Sequence, residues 1–443
     1  MCARRAARVV GRALLSFGAL VVLLVATAEP VAAHDVSSGS VPAPPWLLGY
    51  IGAFAVGATA VALRATWPTH RLHRFSSPVG PQRSPGLHLG HAVGLVLFAA
   101  VLLVAVVGPD SAAANIAPVT VFVIWWVGLP LLCLLLGDVM RAINPFLAVV
   151  GVIGRRGEED GAGPSWTAAA FLAAFAWFFV AYHQPGSPRS LAVFLVVYAL
   201  AAVAGGGLWG RRWLVTGEGF GALSAAVALL SPRGTRTGPP PGVAALMTVW
   251  IGSTAFDAFT STPFWVDVLG TSRGWERTLL NTVGLVWLTA IVAGVHLLAL
   301  RVAERRPPAT REPETAAERP RASLAGPMGV ALVPIGVGWF LAHDLTLLLF
   351  EGQNFISLLS DPIGKGWNLF GTITHTVDFD IVQAAWVPWA QILLLIVGHT
   401  AAVVIAHDTA LAVVRRRLAM RSTWCVAAAS AVSVSAAALL VLD

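Results

Sequence analysis

The residues of this sequence that can do chemistry are ionisable side chains set inside long apolar runs. In hydrocarbon an ionised or unpaired polar group costs several kcal/mol unless it meets protein, water or a partner. Asp257 lies in the hydroxyl-rich stretch Ser253–Thr262, and His343 and Asp344 are neighbours in a second apolar run. A third run carries His399 near its centre, with His407 and Asp408 further along. At a rise of 1.5 Å per residue those two histidines stand about 12 Å apart on a helix, whereas the ligands of one ion converge to about 2.1 Å from it. One metal cannot use both.

Position within the runs sorts these residues into two levels. Asp257, His343, Asp344 and His399 form an outer group, and Asp138, His296, His407 and Asp408 an inner one. Two imidazoles and a carboxylate of the outer group could bind a divalent metal or relay protons in a pocket open to the external side. The bland alternative is that each side chain bonds a neighbouring helix. That reading weighs more for the inner group: His407 and Asp408 fall near headgroup level, and Asp138 is spaced to pair with Arg141. Glu351, at the end of Leu347–Gln353, reads as an interface residue or as a catalytic base. The long external loop from Gly352 to Val382 reads either as a cap over an outward-facing pocket or as a solvated connector.

The elements that must hold these residues are membrane helices. The chain has 443 residues, of which 57% are apolar and 12% charged, with a mean hydropathy of +0.75, and no polar soluble surface can be drawn from that composition. Its net charge of +7 comes mostly from arginines in short loops between apolar runs, which marks topology rather than a nucleic-acid partner. An Arg-rich start, an apolar run from Ala13 to Ala26 and the small residues Val31–Ala33 read as a signal peptide over 1–33. Cleavage would leave His34 with a free α-amine, a group able to chelate copper.

About ten runs long enough to span a bilayer follow, near 46–66, 91–108, 118–140, 166–184, 190–209, 242–263, 278–300, 327–350, 385–412 and 423–442. Alternate loops carry Arg71 and Arg74, Arg155 and Arg156, Arg211 and Arg212, Arg305 and Arg306, and Arg415 to Arg417. The positive-inside rule then sets both ends of the mature chain outside a cell membrane. The expected fold is all-α: a bundle of spans one to seven over 34–301, a disordered cytoplasmic linker over 302–325, and spans eight to ten over 326–443. The short apolar stretch from Gly217 to Leu230 reads as a segment lying flat at the cytoplasmic interface. The sixth, eighth and ninth spans should pack together, so that their polar residues escape lipid. Cys2, Cys133 and Cys425 form no disulfide or zinc pattern.

Five stretches, GDVMRAINPF from Gly137, STAFDAFTSTPFW from Ser253, LLLFEGQ from Leu347, SDPIGKGWNLFGT from Ser360 and GHTAAVVIAHDTAL from Gly398, carry a resemblance to a family. The chain resembles actinobacterial membrane proteins that go by the name fenitrothion hydrolase. That resemblance implies metal-assisted hydrolysis of an organophosphorus ester, with Asp257, His343 and His399 as ligands of a divalent metal and Asp344 as a supporting residue or base. The sequence itself carries no GxSxG, HExxH or P-loop. Two other readings therefore stand beside hydrolysis. One is a proton- or metal-coupled transporter in which His296, His407, Asp408 and Asp138 continue a relay. The other is a non-catalytic subunit or assembly factor that binds a metal or a membrane-protein partner.

Overall fold

The computed structural model describes residues 43–76, 89–153, 161, 163–234, 238–304, 328–414 and 416–442. The signal peptide, His34 and nearly all of the linker over 302–325 lie outside the described residues. Among those described the chain is helical, with no strand, and nine helices are long and apolar enough to cross a membrane. They are Pro45–Thr66, Leu89–Val107, Ile116–Leu136, Pro188–Trp209, Val243–Thr260, Gly274–Ala303, Gly329–Ser360, Ala384–Val413 and Arg416–Leu442.

The tenth expected span, 166–184, differs. It forms ten α-helical residues, Thr167–Ala176, followed by a five-residue π-helical turn, Trp177–Ala181. Such a segment is about 22 Å long, against a hydrocarbon core of about 30 Å. Gly217–Leu230 differs too. It does not lie flat at a surface: Glu218 caps a short helix, Gly219–Ala228, whose residues are buried all round except for Ala225. A helix at a membrane interface would leave one face open. This one packs against Gly128–Leu136 and Thr167–Ala176 instead.

Helix starts and stops follow local chemistry. Asn115 caps the Ile116 helix by accepting the Ala117 amide, while its side-chain amide donates to the carbonyls of Val104 and Pro109 and ties down the preceding loop. Ser187 followed by Pro188, and Thr262 followed by Pro263, open two more helices by the same rule. Gly137, at φ 93°, ends the Gly128–Leu136 helix in a conformation that favours glycine.

The chain folds as two compact units. The first holds Met1–Ser76, Ile291–Gly338 and Val382–Asp443, and the second holds Ser77–Ala290 and Trp339–Ile381. In the first, Pro45–Thr66, Val387–Val413 and Arg416–Leu442 pack on one another. Small residues let them approach: a Cβ on Gly49 would stand 3.1 Å from the Ser435 Cα, and the Ser435 hydroxyl donates to the Gly49 carbonyl. In the second, Leu89–Val107 crosses the segment after Gly137 closely enough that a Cβ on Gly94 would stand 1.8 Å from the Ile143 carbonyl oxygen.

The spans are unequally buried. In Leu89–Val107 and Gly274–Ala303 only 17% of the apolar window is covered by protein, whereas Gly329–Ser360 reaches 67% and Val243–Thr260 61%. The two most covered spans are those that carry His343, Asp344 and Asp257, as the cost of ionisable groups in lipid requires.

Candidate functional site

Asp257 stands near the end of Val243–Thr260, one turn beyond Ser253 and Thr254, whose hydroxyls both donate back to the Trp250 carbonyl. His343 and Asp344 project from Leu332–Ser360, and the two helices touch where Trp250 meets Phe340, with ring centroids 5.0 Å apart. His343 Nε2 donates to Asp257 Oδ2 at 3.2 Å. Asp344 completes the group: one ligand atom from each of the three residues lies within 4.8 Å of the others, and among the described residues this is the one His/Cys/Asp/Glu cluster of that kind.

Asp344 is only 3% exposed and makes no hydrogen bond to a described residue. Buried carboxylates are almost always hydrogen-bonded, so an acid without such a partner marks a site that expects one from outside the protein. What Asp344 faces is a cavity of about 10 Å³, lined also by Asp257, Ser253, Thr254, Trp126 and Phe179. That is room for one water.

The walls of this cavity are unusual in their backbone. Phe179 and Val180 belong to the π-helical turn Trp177–Ala181, and Trp126 follows a second π-helical segment, Thr120–Trp125. Phe122 and Phe179, one from each segment, stack at 4.9 Å. An i→i+5 bulge is rare inside α-helices and is frequently found at functional sites. Trp126, Phe179, Val180, Ser253 and Thr254 escaped the sequence reading as site residues. Only the hydroxyl-rich surroundings of Asp257 hinted at two of them.

The fit to a divalent cation can be judged on these atoms. Ligands about 2.1 Å from one ion stand about 3.4 Å apart in a tetrahedral arrangement. The His343–Asp257 separation of 3.2 Å already meets that, and the limit of 4.8 Å for the set asks for a small side-chain adjustment. Two carboxylates also balance the charge of a divalent ion, leaving His343 neutral as a ligand.

The other candidates make contacts of their own. His399 belongs to the first unit and both of its ring nitrogens are engaged: Nδ1 donates to the Leu395 carbonyl at 2.7 Å and Nε2 meets the Ser433 hydroxyl at 3.1 Å. His296 Nδ1 donates to the Val292 carbonyl, while its buried Nε2 has no hydrogen-bond partner among the described residues. His407 bridges the Trp67 carbonyl and the Thr423 hydroxyl. Asp408 accepts from Trp67 Nε1 and the amides of Arg71 and Leu72, and pairs with His70 at 2.7 Å. These two inner residues therefore hold the stretch after Thr66 against the Val387–Val413 helix.

In the second unit, Asp138 accepts the Arg141 amide and the Ser224 hydroxyl, which joins the helix break at Gly137 to the buried short helix. Glu351 is exposed and accepts from Asn354, and it lines no part of the cavity. The loop expected from Gly352 begins later, because the helix continues to Ser360. Asp361 then folds the turn by accepting the Lys365 and Gly366 amides. No described residue of that loop lines the cavity.

No protein-family model, no curated protein and no solved structure matches this chain.

Proposed function

We propose that this chain is a multi-pass membrane hydrolase of organophosphorus esters, in which Asp257, His343 and Asp344 hold a divalent cation beside a water-sized cavity. The observation that carries this is the buried Asp344 carboxylate, which makes no hydrogen bond to a described residue and faces that cavity together with Asp257. The resemblance to the fenitrothion hydrolases supplies the reaction. A bound cation would supply Lewis-acid activation of water and stabilisation of charge developing at phosphorus.

The chain's own residues supply the rest. His343 and the two carboxylates orient the reactants. Asp344 is placed to take a proton from a water in the cavity as that oxygen attacks phosphorus, and to return it to the departing ester oxygen. Trp126 and Phe179 keep the cavity too small for bulk water, which strengthens every charge interaction inside it. In a cell membrane, with Thr167–Ala181 crossing a locally thinned bilayer, nine spans become ten and both ends of the mature chain stand outside.

A second reading, a proton- or metal-coupled transporter, is favoured by one feature. The Gly128–Leu136 helix breaks at Gly137 beside the buried short helix Gly219–Ala228, an arrangement of interrupted helices that transporters use. The experiment is hydrolysis of a neutral aryl phosphotriester by purified protein in nanodiscs, before and after chelation and with the Asp344→Asn variant. Hydrolysis lost on both changes and restored by added metal supports the enzyme. Absence of hydrolysis, with proton or metal flux in sealed liposomes that Asp344→Asn abolishes, replaces it with the transporter.

A further inference from the structure

A second and larger cavity of the same unit, about 580 Å³, opens between the π-helical turn and the start of Gly274–Glu304. Phe179 and Val180 line both this cleft and the small cavity at Asp257 and Asp344, so a two-residue wall separates them. Thr260, also on the cleft, donates to the Asp257 carbonyl.

The polar side of the cleft is cationic. Arg273 and Arg277 line it, and neither has a hydrogen-bond or ion-pair partner among the described residues. Ser272 Oγ is buried there without a hydrogen-bond partner among the described residues. Asn281 accepts from Trp265 Nε1 with its side-chain oxygen, leaving its amide donors unused. No acidic residue is among the described lining residues. The remaining wall is apolar, with Phe179, Val180, Tyr182 and Leu269. Unused donors, two fixed positive charges and an apolar wall together describe a site for an amphiphilic anion, and the volume suits a molecule of small-ligand size.

The geometry points to this cleft as the binding site for a phosphate monoester or diester that carries an apolar substituent, held by Arg273 and Arg277 and presented to the Asp257–His343–Asp344 centre across Phe179 and Val180. The inference rests on the hydrolase reading and deepens it. The native substrate is an anionic phosphoester, and a neutral triester occupies the same apolar wall without using the arginines. The phosphate could be borne by a soluble ester or by a lipid headgroup, since the chemistry recognised is the same.

The test is equilibrium binding of phenyl phosphate to detergent-purified protein, in the wild type and in the Arg273→Gln/Arg277→Gln double variant, with metal content measured on the same samples. Both arginines are exposed, so the double variant should keep the wild-type melting temperature, and Ser272→Ala serves as a second variant that leaves both charges in place. Saturable binding that weakens at least about tenfold in the double variant, with binding of a neutral aryl phosphotriester unchanged, is the expected result. Competition by phosphatidic acid in nanodiscs would assign the site to a lipid headgroup, and its failure to compete would assign it to a soluble ester. Absence of saturable binding by phenyl phosphate and of competition by phosphatidic acid, or equal binding by the double variant, overturns the inference. Metal retained without phosphoester binding would remove the cleft and leave the cation site. Phosphoester binding to a protein that takes up no metal would do the reverse.

Discussion

Asp408 offers a sharp contrast between a residue that relays protons and one that holds structure. Its side chain is 1% exposed, and it receives Trp67 Nε1 at 2.8 Å and the Arg71 amide at 2.7 Å on one oxygen. The Leu72 amide at 2.8 Å and His70 Nδ1 at 2.7 Å meet the other oxygen. A hydrogen bond to a charged group contributes about 1.5–3 kcal/mol, so four would sum to about 6–12 kcal/mol if they were independent. They share one acceptor group and one strand of chain, and they are not independent. Removing one partner of a buried charged pair costs about 3–5 kcal/mol, and that is the expected loss for Asp408→Ala. Asp408→Asn should be intermediate, because its amide nitrogen can sit on only one side and there faces donors. Against a total stability of about 5–15 kcal/mol, the alanine variant forfeits about a fifth or more. Chemical unfolding in detergent micelles, followed by tryptophan fluorescence to which Trp67 contributes, measures the difference. A loss below about 1 kcal/mol for Asp408→Ala would refute the latch and reopen the relay.

Glu218 caps the buried short helix by accepting the Phe220 and Gly221 amides and the Tyr198 hydroxyl. Glu218→Ala should therefore cost about 2–4 kcal/mol, whereas Tyr198→Phe, which spares the cap, should cost about 1 kcal/mol in the same unfolding assay. Gly94→Ala would drive a methyl into the Ile143 carbonyl and should lower stability by about 3 kcal/mol or more. Gly57→Ala, inside Pro45–Thr66 with nothing within 4 Å, should be neutral or stabilising by up to about 1 kcal/mol. Equal effects of the two glycine changes would count against the close helix crossing. Phe179→Ala should raise the hydrolysis rate for bulky phosphoesters more than for small ones, by opening the wall between cleft and cavity; a uniform change would deny Phe179 that place.

Much of the fold was legible because the hydrocarbon requirement is a simple length of apolar chain. Nine of the ten expected spans correspond to helices of sufficient length. The exception, 166–184, is apolar from Ala168 to Ala181, and nothing in that composition signals that the helix loosens into a π turn at Trp177 and ends at Ala181. A π bulge is a change of backbone hydrogen-bond partner rather than of residue type.

In the candidate site, Asp257 and His343 were legible from their cost in lipid, and the structure brings them together with Asp344. The same cost drew attention to His399, but a buried imidazole can be satisfied by a backbone carbonyl and a serine as well as by an ion. The sequence contains no sign of which way the ring turns. Nothing in the sequence marks Arg273 and Arg277 as a pair, because the cleft they line exists only once the helix start at Gly274 folds beside the π turn.

Whether Asp257, His343 and Asp344 hold a cation is read from the metal content of detergent-purified protein, measured by mass spectrometry after supply with zinc, manganese and iron. About one equivalent of divalent metal is expected in the wild type and in His399→Ala, and essentially none in the Asp257→Asn/Asp344→Asn double variant. A wild-type protein that takes up no metal, or a double variant that keeps it, would rule out a cation site at Asp257, His343 and Asp344.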